Sequence, residues 1–303
     1  MSAQKPYKSF PRRYTKRERN EHRIAYLFIL PDLIGLVIFV IVPIVIAIYT
    51  SFFKWDMVSE KIFIGFDNYV RMFKDSSWWS ALGRTLKLTV IYVPLLFCLS
   101  LLVANLVNQI RNRMGTFIKS TFLMTYAITA VIASTLWMFI YDEKRGYLNL
   151  ILNALGIESQ GFLGSTSQAL YGIIAVLLWI NIGYNMILFL SAIKEIPTSY
   201  YEAATIDGAS ALKCFWSITL PLIKRTSIFV LITTTIASFQ VLDLILVMTK
   251  GGPAKSTEVA ALYIYDRSFN MMEMGYGSTL SVCLFIILLV FSAVQMRMNT
   301  NNA

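Results

Sequence analysis

Long apolar runs alternate with short polar segments along this chain. The runs cover residues 24–53, 86–107, 117–140, 169–193, 228–249 and 277–296. Each is close to the length of about 20 residues that an α-helix needs to cross a bilayer. Hydrophobic residues make up 56% of the chain and charged residues 15%, which leaves no room for a large soluble domain. The pattern predicts an all-α membrane protein with six transmembrane helices, the first of them broken by Pro31 and Pro43.

The distribution of positive charge predicts the orientation, with both termini in the cytoplasm. Lysines and arginines are concentrated in the N-terminal tail, in the loops 108–119 and 193–226, and at the C-terminus, and short loops rich in these residues stay inside. On the other side acids balance bases, so nearly all of the formal charge of +10 lies inside. Anionic membrane lipid is the expected partner of this charge, and nucleic acid is not. We expect a basic cytoplasmic tail over 1–23, a six-helix transmembrane domain over 24–298 and a cytoplasmic C-terminus over 299–303.

A polar hairpin, residues 194–224, separates the fourth and fifth apolar runs. Ser199 and Glu202 form an S-x-x-E capping box just after Pro197, and Asp207-Gly208 supplies the turn that ends the first short helix. A second helix with one apolar face is predicted up to Pro221. That face comprises Leu212, Phe215, Trp216, Thr219 and Ile223.

The hairpin resembles the EAA loop of binding-protein-dependent ABC importer permeases at every position of that motif. The matching residues are Glu202, Ala203, Ala204, Asp207, Gly208, Ala209, Phe215, Ile218, Leu220 and Pro221. In that family the loop is a cytoplasmic coupling helix, which docks in a cleft of a separate ATPase subunit and passes its motion to the membrane helices. The resemblance implies that the contact with the ATPase subunit is made by Glu202, Ala203, Ala204, Asp207, Gly208 and Ala209.

Weaker motifs elsewhere resemble the carbohydrate branch of that family. Gly65, Asn68 and Tyr69 match a G-x-x-N-Y motif that follows the first span. The stretches TKGGP at 249–253, TEV at 257–259, YIYDRSF at 263–269 and MGYGS at 274–278 resemble the outer loop and the start of the sixth span. Thr279 stands where the family often has alanine, a mild departure.

Together these motifs imply the type I ABC importer permease fold and uptake of a sugar, first of all an oligosaccharide, across a bacterial cytoplasmic membrane. The implied partners are a second permease subunit, two ATPase subunits and an extracytoplasmic sugar-binding protein. ATP and Mg²⁺ would be held by the ATPase subunits, because this chain lacks the G-x-x-x-x-G-K-[ST] loop. The single histidine, His22 in the tail, argues against His-based catalysis and against a metal site, so no catalytic residue is predicted.

Polar side chains in the fourth and fifth runs form a candidate substrate path. Polar groups inside a membrane are costly and usually face a bundle interior or a water path. The alternative is interhelical hydrogen bonding that merely holds the bundle together. The candidates are Asn181, Tyr184, Asn185, Ser238, Gln240 and Asp243.

Asp243 also suggests a different class of protein. A lone carboxylate at depth needs a partner or a raised pKa, and Lys87 is the one deeply placed base. A secondary transporter or channel could use Asp243 as an ion site, although the chain has no inverted repeat of the kind such transporters often carry. A polyol or glycerol phosphate importer is a further alternative, and a membrane scaffold without transport would need no polar residues in its spans.

Overall fold

The computed structural model describes residues 16–110 and 112–300, which form an almost entirely helical chain. The first part of the predicted tail, residues 1–15, and residues 301–303 lie outside the described residues. Within the described ranges, four helices are long and apolar enough to cross a membrane, and two bent helix pairs raise the number to as many as six. These helices confirm the prediction of a mainly helical chain with several spans long enough to cross a membrane, whereas the number of six and the orientation stay predictions.

The first span consists of α1, Lys16–Leu36, and α2, Val42–Thr50, joined by one turn of π-helix. The N–H of Val42 bonds to the carbonyl of Val37, five residues back. This wider turn comes just before Pro43, whose ring would otherwise press on the carbonyl four residues back. The sequence predicted that Pro31 and Pro43 break the first span. Both prolines lie instead within one continuous span, Tyr26–Thr50. Its most apolar window is 6% buried within this chain, so almost all of its surface is left for lipid or for another subunit.

A short β-hairpin and a small helix follow the first span. Strand β1, Phe53–Lys54, pairs antiparallel with β2, Ile62–Phe63, and α3 covers Asp67–Lys74. Asp75 then caps the long helix α4, Ser76–Asn108, because its carboxylate accepts the N–H groups of the first turn.

The third apolar run is bent and does not form one straight helix. Helix α5, Arg113–Tyr126, and α6, Ala130–Ile140, meet at an angle of 99°. A short helix α7, Tyr147–Ala154, follows, and then the long span α8, Ala169–Lys194. Thr129 caps α6 through its hydroxyl, so the chain makes a new helix start inside the predicted span.

The hairpin and the fifth run are also interrupted. The hairpin contains α9, Thr198–Ile206, then α10, Ala211–Cys214, a π-helical turn at Phe215–Thr219 and α11, Leu220–Leu222. The predicted fifth span is divided between α12, Lys224–Phe239, and α13, Asp243–Met248. The chain ends with α14, Ala260–Tyr265, a π-helical turn at Asp266–Asn270 and the last span α15, Met274–Thr300.

The centre of the bundle is formed by α4 and α8, which pack along much of their length, while α5 lies on α8, α12 on α4 and α13 on α6. Gly183 sets the distance between α5 and α8. A Cβ at this position would lie 1.8 Å from the carbonyl oxygen of Phe122, so the two backbones are in direct contact. Because α4 and α8 both end beside the hairpin, we call that end of the bundle the hairpin side and the opposite end the far side.

Candidate functional site

Helix α9, which carries the E-A-A residues, begins two residues earlier than the capping box predicts. Its first residue is Thr198 and its N-cap is Pro197, which makes no side-chain capping bond. Ser199 therefore lies inside the first turn, where its hydroxyl is not in the capping position, and the predicted box with Glu202 does not form. Proline can take the cap because its extended backbone, with ψ of 135°, leads directly into the first turn.

The end of α9 matches the predicted turn. Gly208 has φ of +73°, the left-handed conformation that side chains resist. Its N–H bonds to the carbonyl of Thr205 at 3.0 Å, and the N–H of Ala209 bonds to that of Ala204 at 2.9 Å. This pair of bonds is the Schellman motif, which satisfies the last carbonyls of the helix and fixes the direction of the chain after it.

The coupling residues predicted from the EAA motif present a free surface. Glu202, Ala203, Asp207 and Gly208 are exposed, and Ala204 and Ala209 are half-buried. In the part of the chain that the structure describes, the carboxylates of Glu202 and Asp207 make no hydrogen bond or ion pair.

Ile206 was not among the predicted coupling residues, yet it belongs to the same surface. Its side chain is 87% exposed at the end of α9. The signal in the sequence was an apolar residue inside the polar stretch E-A-A-T-I-D-G. An isoleucine this exposed gains by burial against another surface.

The inner face of the hairpin is fastened to the bundle. The hydroxyl groups of Tyr201 on α9 and Thr219 lie 2.9 Å apart, and Tyr201 packs with the cluster of buried residues around Phe189 and Ile193. Helix α9 is thus joined through packed side chains to α8 and to the segment that leads into α12.

The predicted apolar face of the second hairpin helix is only partly correct. Thr219 and Ile223 are buried and Phe215 is half-buried, whereas Leu212 and Trp216 are 69% and 60% exposed. The π-helical turn before Pro221 adds a residue to the turn, which rotates Leu212 and Trp216 away from that face. They line instead an apolar groove against α4 that includes Phe97 and Leu101.

Two of the polar candidates on α8 bond to their own helix. The amide Nδ2 of Asn181 donates to the carbonyl of Leu177 at 2.8 Å, and that of Asn185 donates to the carbonyl of Asn181 at 2.9 Å. Asn181 is half-buried and Asn185 is buried. Each amide thus uses one of its two N–H donors on its own helix, and within the described residues neither side chain bridges two helices.

Tyr184 is the exposed member of this group, and it has an aromatic partner that the sequence did not reveal. Its ring stacks on Tyr126, with the centroids 4.7 Å apart and the planes inclined by 15°. Tyr126 is the last residue of α5, directly before the 99° bend, and Gly183 beside Tyr184 allows the close approach of the two helices.

The three candidates near the end of α12 differ in environment. Ser238 is buried and lies 2.8 Å from the hydroxyl of Thr89 on α4, while its own hydroxyl donates to the carbonyl of Thr235 at 2.7 Å. This is the interhelical bonding that was the alternative to path lining. Gln240 caps the end of α12 and Asp243 begins α13, so both lie at the break in the fifth span.

The side chains at that break are exposed and have no partners among the described residues. Gln240 and Asp243 are exposed, and neither makes a side-chain hydrogen bond or ion pair with another described residue. Lys87 forms no ion pair with Asp243. Its ammonium lies instead over the ring of Tyr171, 5.2 Å from the ring centre.

The motifs of the far side meet in one place. The amide of buried Asn68 donates to the carbonyls of Ser51 and Phe53 at 2.9 and 3.0 Å. The hydroxyl of Thr279 donates to the same Ser51 carbonyl at 3.1 Å, and a Cβ on Gly275 would lie 1.9 Å from the Phe53 oxygen. The G-x-x-N-Y and M-G-Y-G-S motifs therefore hold the first and last spans together, and the unusual Thr279 contributes a bond that alanine cannot make.

Asp75 is the centre of a second contact on the far side. Its carboxylate accepts the hydroxyls of Tyr263 and Tyr276, each at 2.6 Å. Burial opposes ionisation of this carboxyl, but the two tyrosine hydroxyls and the N–H groups of Trp78 and Ser77 outweigh burial and lower its pKa. Burial, reinforced by the bond to Asp75, raises the pKa of Tyr263 to about 12.

An ion-pair network continues this contact towards α3. Arg71 forms a two-pronged bond to Glu273 at 2.9 Å, and Arg267 reaches the same carboxylate at 3.2 Å. Within residues 16–110 and 112–300, no three His, Cys, Asp or Glu side chains are grouped so that they could hold a metal ion.

Residues 62–301 match the sequence model of a family described as binding-protein-dependent transport system inner membrane component. The probable ABC transporter permease YurN of Bacillus subtilis (strain 168) is 34% identical over 90% of this chain and 95% of its own. The sulfoquinovosyl glycerol transport permease SmoG of Agrobacterium fabrum is 32% identical over 96% of this chain and 94% of its own. The trehalose/maltose transport permease MalF of Thermococcus litoralis is 31% identical over 93% of this chain and 96% of its own.

Two solved structures have the same fold. One is a bacterial ABC transporter involved in the import of the acidic polysaccharide alginate, with a TM-score of 0.82 at 21% identity over 94% of this chain and 98% of that one. The other is a bacterial alginate ABC transporter in complex with an alginate pentasaccharide-bound periplasmic protein, with a TM-score of 0.81 at 22% identity over 93% and 96%. The chain therefore has the type I ABC importer permease fold that the EAA loop implied.

Proposed function

The chain belongs to the family of binding-protein-dependent transport system inner membrane components, and from this membership we propose that it is one permease subunit of an ATP-driven sugar importer. The substrate is a sugar, first of all an oligosaccharide, because relatives of this length are named for trehalose/maltose and sulfoquinovosyl glycerol transport. A second permease subunit of similar fold completes the translocation path. The almost bare surface of the first span supports a partner within the membrane.

The proposed topology has six spans with both termini in the cytoplasm of a bacterial cell. It counts α5 with α6 as one bent span. The other bent pair is the hairpin segment Ala211–Leu222 with α12, which meet at 71°, and the proposed fifth span consists of α12 continued by α13. The concentration of lysine and arginine on the hairpin side supports this orientation. An extracytoplasmic sugar-binding protein would then deliver the substrate to the far side.

The observation that carries the proposal is the free surface of α9 on a hairpin that is fastened to the bundle. Glu202, Asp207 and Ile206 face outward without partners among the described residues, while Tyr201 ties the same helix to Thr219. A helix of this kind can dock in the cleft of an ATPase subunit and transmit its closing motion. ATP and Mg²⁺ are held by two such ATPase subunits, and this chain hydrolyses nothing itself.

The substrate path follows the breaks in the third and fifth spans. Half-helices that end inside a membrane are a recurrent way to place polar groups at the depth of a solute. Sugars offer hydroxyl groups and flat C–H faces. The hydroxyl groups suit the exposed amide of Gln240 and the exposed carboxylate of Asp243. The C–H faces suit the stacked rings of Tyr184 and Tyr126. Asn181 adds an amide oxygen beside them. Ser238 and Asn185 support the path from within the bundle.

Family membership favours ATP-driven import over a secondary transporter or channel with Asp243 as its ion site. Import of a polyol or of glycerol phosphate stays as the alternative within the same family.

The test is to purify the protein from its native membrane and to ask which chains accompany it. We expect an ATPase subunit and a second permease, and ATP hydrolysis by the assembly should rise when the binding protein and its sugar are added. Sugar uptake by vesicles that contain this chain without any ATPase subunit would contradict the proposal.

A further inference from the structure

A polar cavity of about 820 Å³ opens on the hairpin side, where α4 and α8 end and α5 begins. Helix α9 forms its remaining wall through Tyr201, Glu202 and Thr205. Because the ends of two candidate spans line it, the cavity lies at the level where a bilayer meets water. The polar and basic lining residues from the other walls are Asn108, Asn112, Thr116, Lys119 and Lys194, and Thr198 adds a hydroxyl from the start of α9.

The charge of this lining is predominantly positive and unneutralised. Lys119 is half-buried, and neither Lys119 nor Lys194 pairs with an acid in the part of the chain that the structure describes. Glu202 is the one acid among the lining residues, and it forms no ion pair with either lysine. The lining holds two ammonium groups against one carboxylate, so an anion that enters the cavity gains favourable partners.

Neutral hydrogen-bond donors line the same cavity as the two lysines. The hydroxyls of Thr116 and Thr198 make no hydrogen bond to another described residue, so both can donate to an incoming oxygen. The carboxamide of Asn112 caps α5 by accepting the N–H of Met114 at 3.1 Å, which leaves its own N–H groups free to point elsewhere. Ammonium groups with hydroxyl and amide donors are the set that recognises phosphate oxygens.

We propose that this cavity binds a phosphate group at the cytoplasmic membrane surface, carried either by an anionic lipid headgroup or by a free phosphorylated compound. Basic pockets between membrane helices on the cytoplasmic side are known places for such headgroups. The proposal rests on the orientation given under the proposed function. A bound phosphate touches the ends of α4 and α8 on one side and α9 on the other, so its presence stiffens the coupling hairpin against the bundle.

The experiment titrates the assembled importer in neutral detergent with three probes and follows its thermal stability. The probes are short-chain phosphatidylglycerol, inorganic phosphate and a short-chain diacylglycerol, which has the same acyl chains but no phosphate. We expect phosphatidylglycerol to stabilise the importer and the diacylglycerol to have no effect. Stabilisation by inorganic phosphate as well identifies the phosphate group itself as the ligand, whereas stabilisation by the lipid alone identifies the headgroup as the source.

Two variants and one control locate the site. Lys119→Gln with Lys194→Gln should weaken binding roughly tenfold or more, since each lysine near a membrane surface contributes about 1 kcal/mol. Lys119→Arg with Lys194→Arg should keep the binding, which separates lost charge from failed folding. Lys144→Gln with Arg145→Gln removes the same charge from the exposed loop between α6 and α7 and should change nothing.

The proposal is overturned if the glutamine variant binds phosphatidylglycerol as tightly as the unmodified importer, or if no phosphate compound stabilises the importer. It is also overturned if the ATPase subunit fills the cavity, so that the introduced thiol in Thr198→Cys is shielded from a thiol reagent by that subunit alone. Because the readout is binding, it does not depend on transport. An importer that binds the lipid but moves no sugar would count against the proposed function and not against this site.

Discussion

The ring of Tyr184 on α8 lies flat against the ring of Tyr126, with their centroids 4.7 Å apart, at the point where α5 ends. The pair depends on Gly183, because any larger residue would separate α8 from the carbonyl of Phe122. Both rings remain partly exposed. The stacked pair therefore forms a rigid aromatic surface beside a break in a span, where the C–H face of a sugar can lie.

We predict that Tyr126→Ala and Tyr184→Ala each lower the maximal rate of sugar uptake by up to about tenfold, the value of one good aromatic contact. The binding protein captures the sugar first, so the loss should appear in the rate and not in the concentration dependence. Uptake of labelled sugar into vesicles containing the assembled importer measures both. Tyr147→Ala, at an exposed tyrosine of α7, is the matched control. Equal losses from all three variants would remove the pair from the path.

Gly208 gives a second prediction, which rests on its backbone conformation and not on the room available for a side chain. Nothing lies within 4 Å of a Cβ at this position, but φ of +73° is costly for any side chain, by about 1–2 kcal/mol. Gly208→Val should shift the second hairpin helix and allow ATP hydrolysis without sugar movement, whereas Gly208→Asn, which tolerates this conformation, should stay coupled. The ratio of ATP hydrolysed to sugar imported measures the difference. Tight coupling in the valine variant would contradict the role of the turn.

At Gly183 there is no room for a side chain between α8 and α5. Gly183→Ala would place a methyl group against the Phe122 carbonyl, and overpacking of this kind costs about 1–3 kcal/mol. We expect a lower melting temperature and weaker uptake. Gly83→Ala in α4 is the matched control, because nothing lies within 4 Å of its added carbon. The control should be neutral or slightly stabilising, and a wild-type melting temperature for Gly183→Ala would disprove the close contact.

Asp75 leads to a prediction about pH. In the folded protein the pKa of the Asp75 carboxyl is lower than its usual value of 3.8, so the carboxylate stabilises the folded state fully above that value. The contribution is lost as the pH falls through the lower folded pKa. We expect the melting temperature of the unmodified protein to fall over this acidic range, and Asp75→Asn to lose stability at neutral pH and to show a shallower acid dependence. Identical acid profiles would show that the tyrosine bonds contribute nothing.

The sequence predicted what depends on local pattern. Apolar runs indicated the helices, and Asp207-Gly208 indicated the end of α9, since both follow from hydrophobicity and backbone conformation. The motif residue Asn68 was recognised, but its task of bonding the carbonyls of Ser51 and Phe53 depends on how the first and last spans meet.

What the sequence could not supply were tertiary partners. Ser238 and Gln240 look alike in the sequence, as polar residues of one run. In the structure the hydroxyl of Ser238 lies within hydrogen-bond distance of Thr89 on α4, whereas Gln240 has no side-chain partner among the described residues. Tyr126 gains its importance from Tyr184, 58 positions along the chain by their residue numbers. The breaks after Tyr126 and Phe239 were missed because both fall within continuous apolar runs, where hydropathy does not distinguish one straight helix from two.

The central claim is that α9 couples this chain to an ATPase subunit, and charge reversal at Glu202 tests it most directly. Glu202 is exposed and unpaired among the described residues, so Glu202→Lys leaves the fold intact and places a positive charge against the basic group we expect in the ATPase cleft. Glu143→Lys, on the far-side loop, is the control. The measurement is sugar-stimulated ATP hydrolysis by the purified assembly. We predict that hydrolysis is abolished in Glu202→Lys with the chain still in the membrane and unchanged in Glu143→Lys, and wild-type hydrolysis in Glu202→Lys would contradict the account.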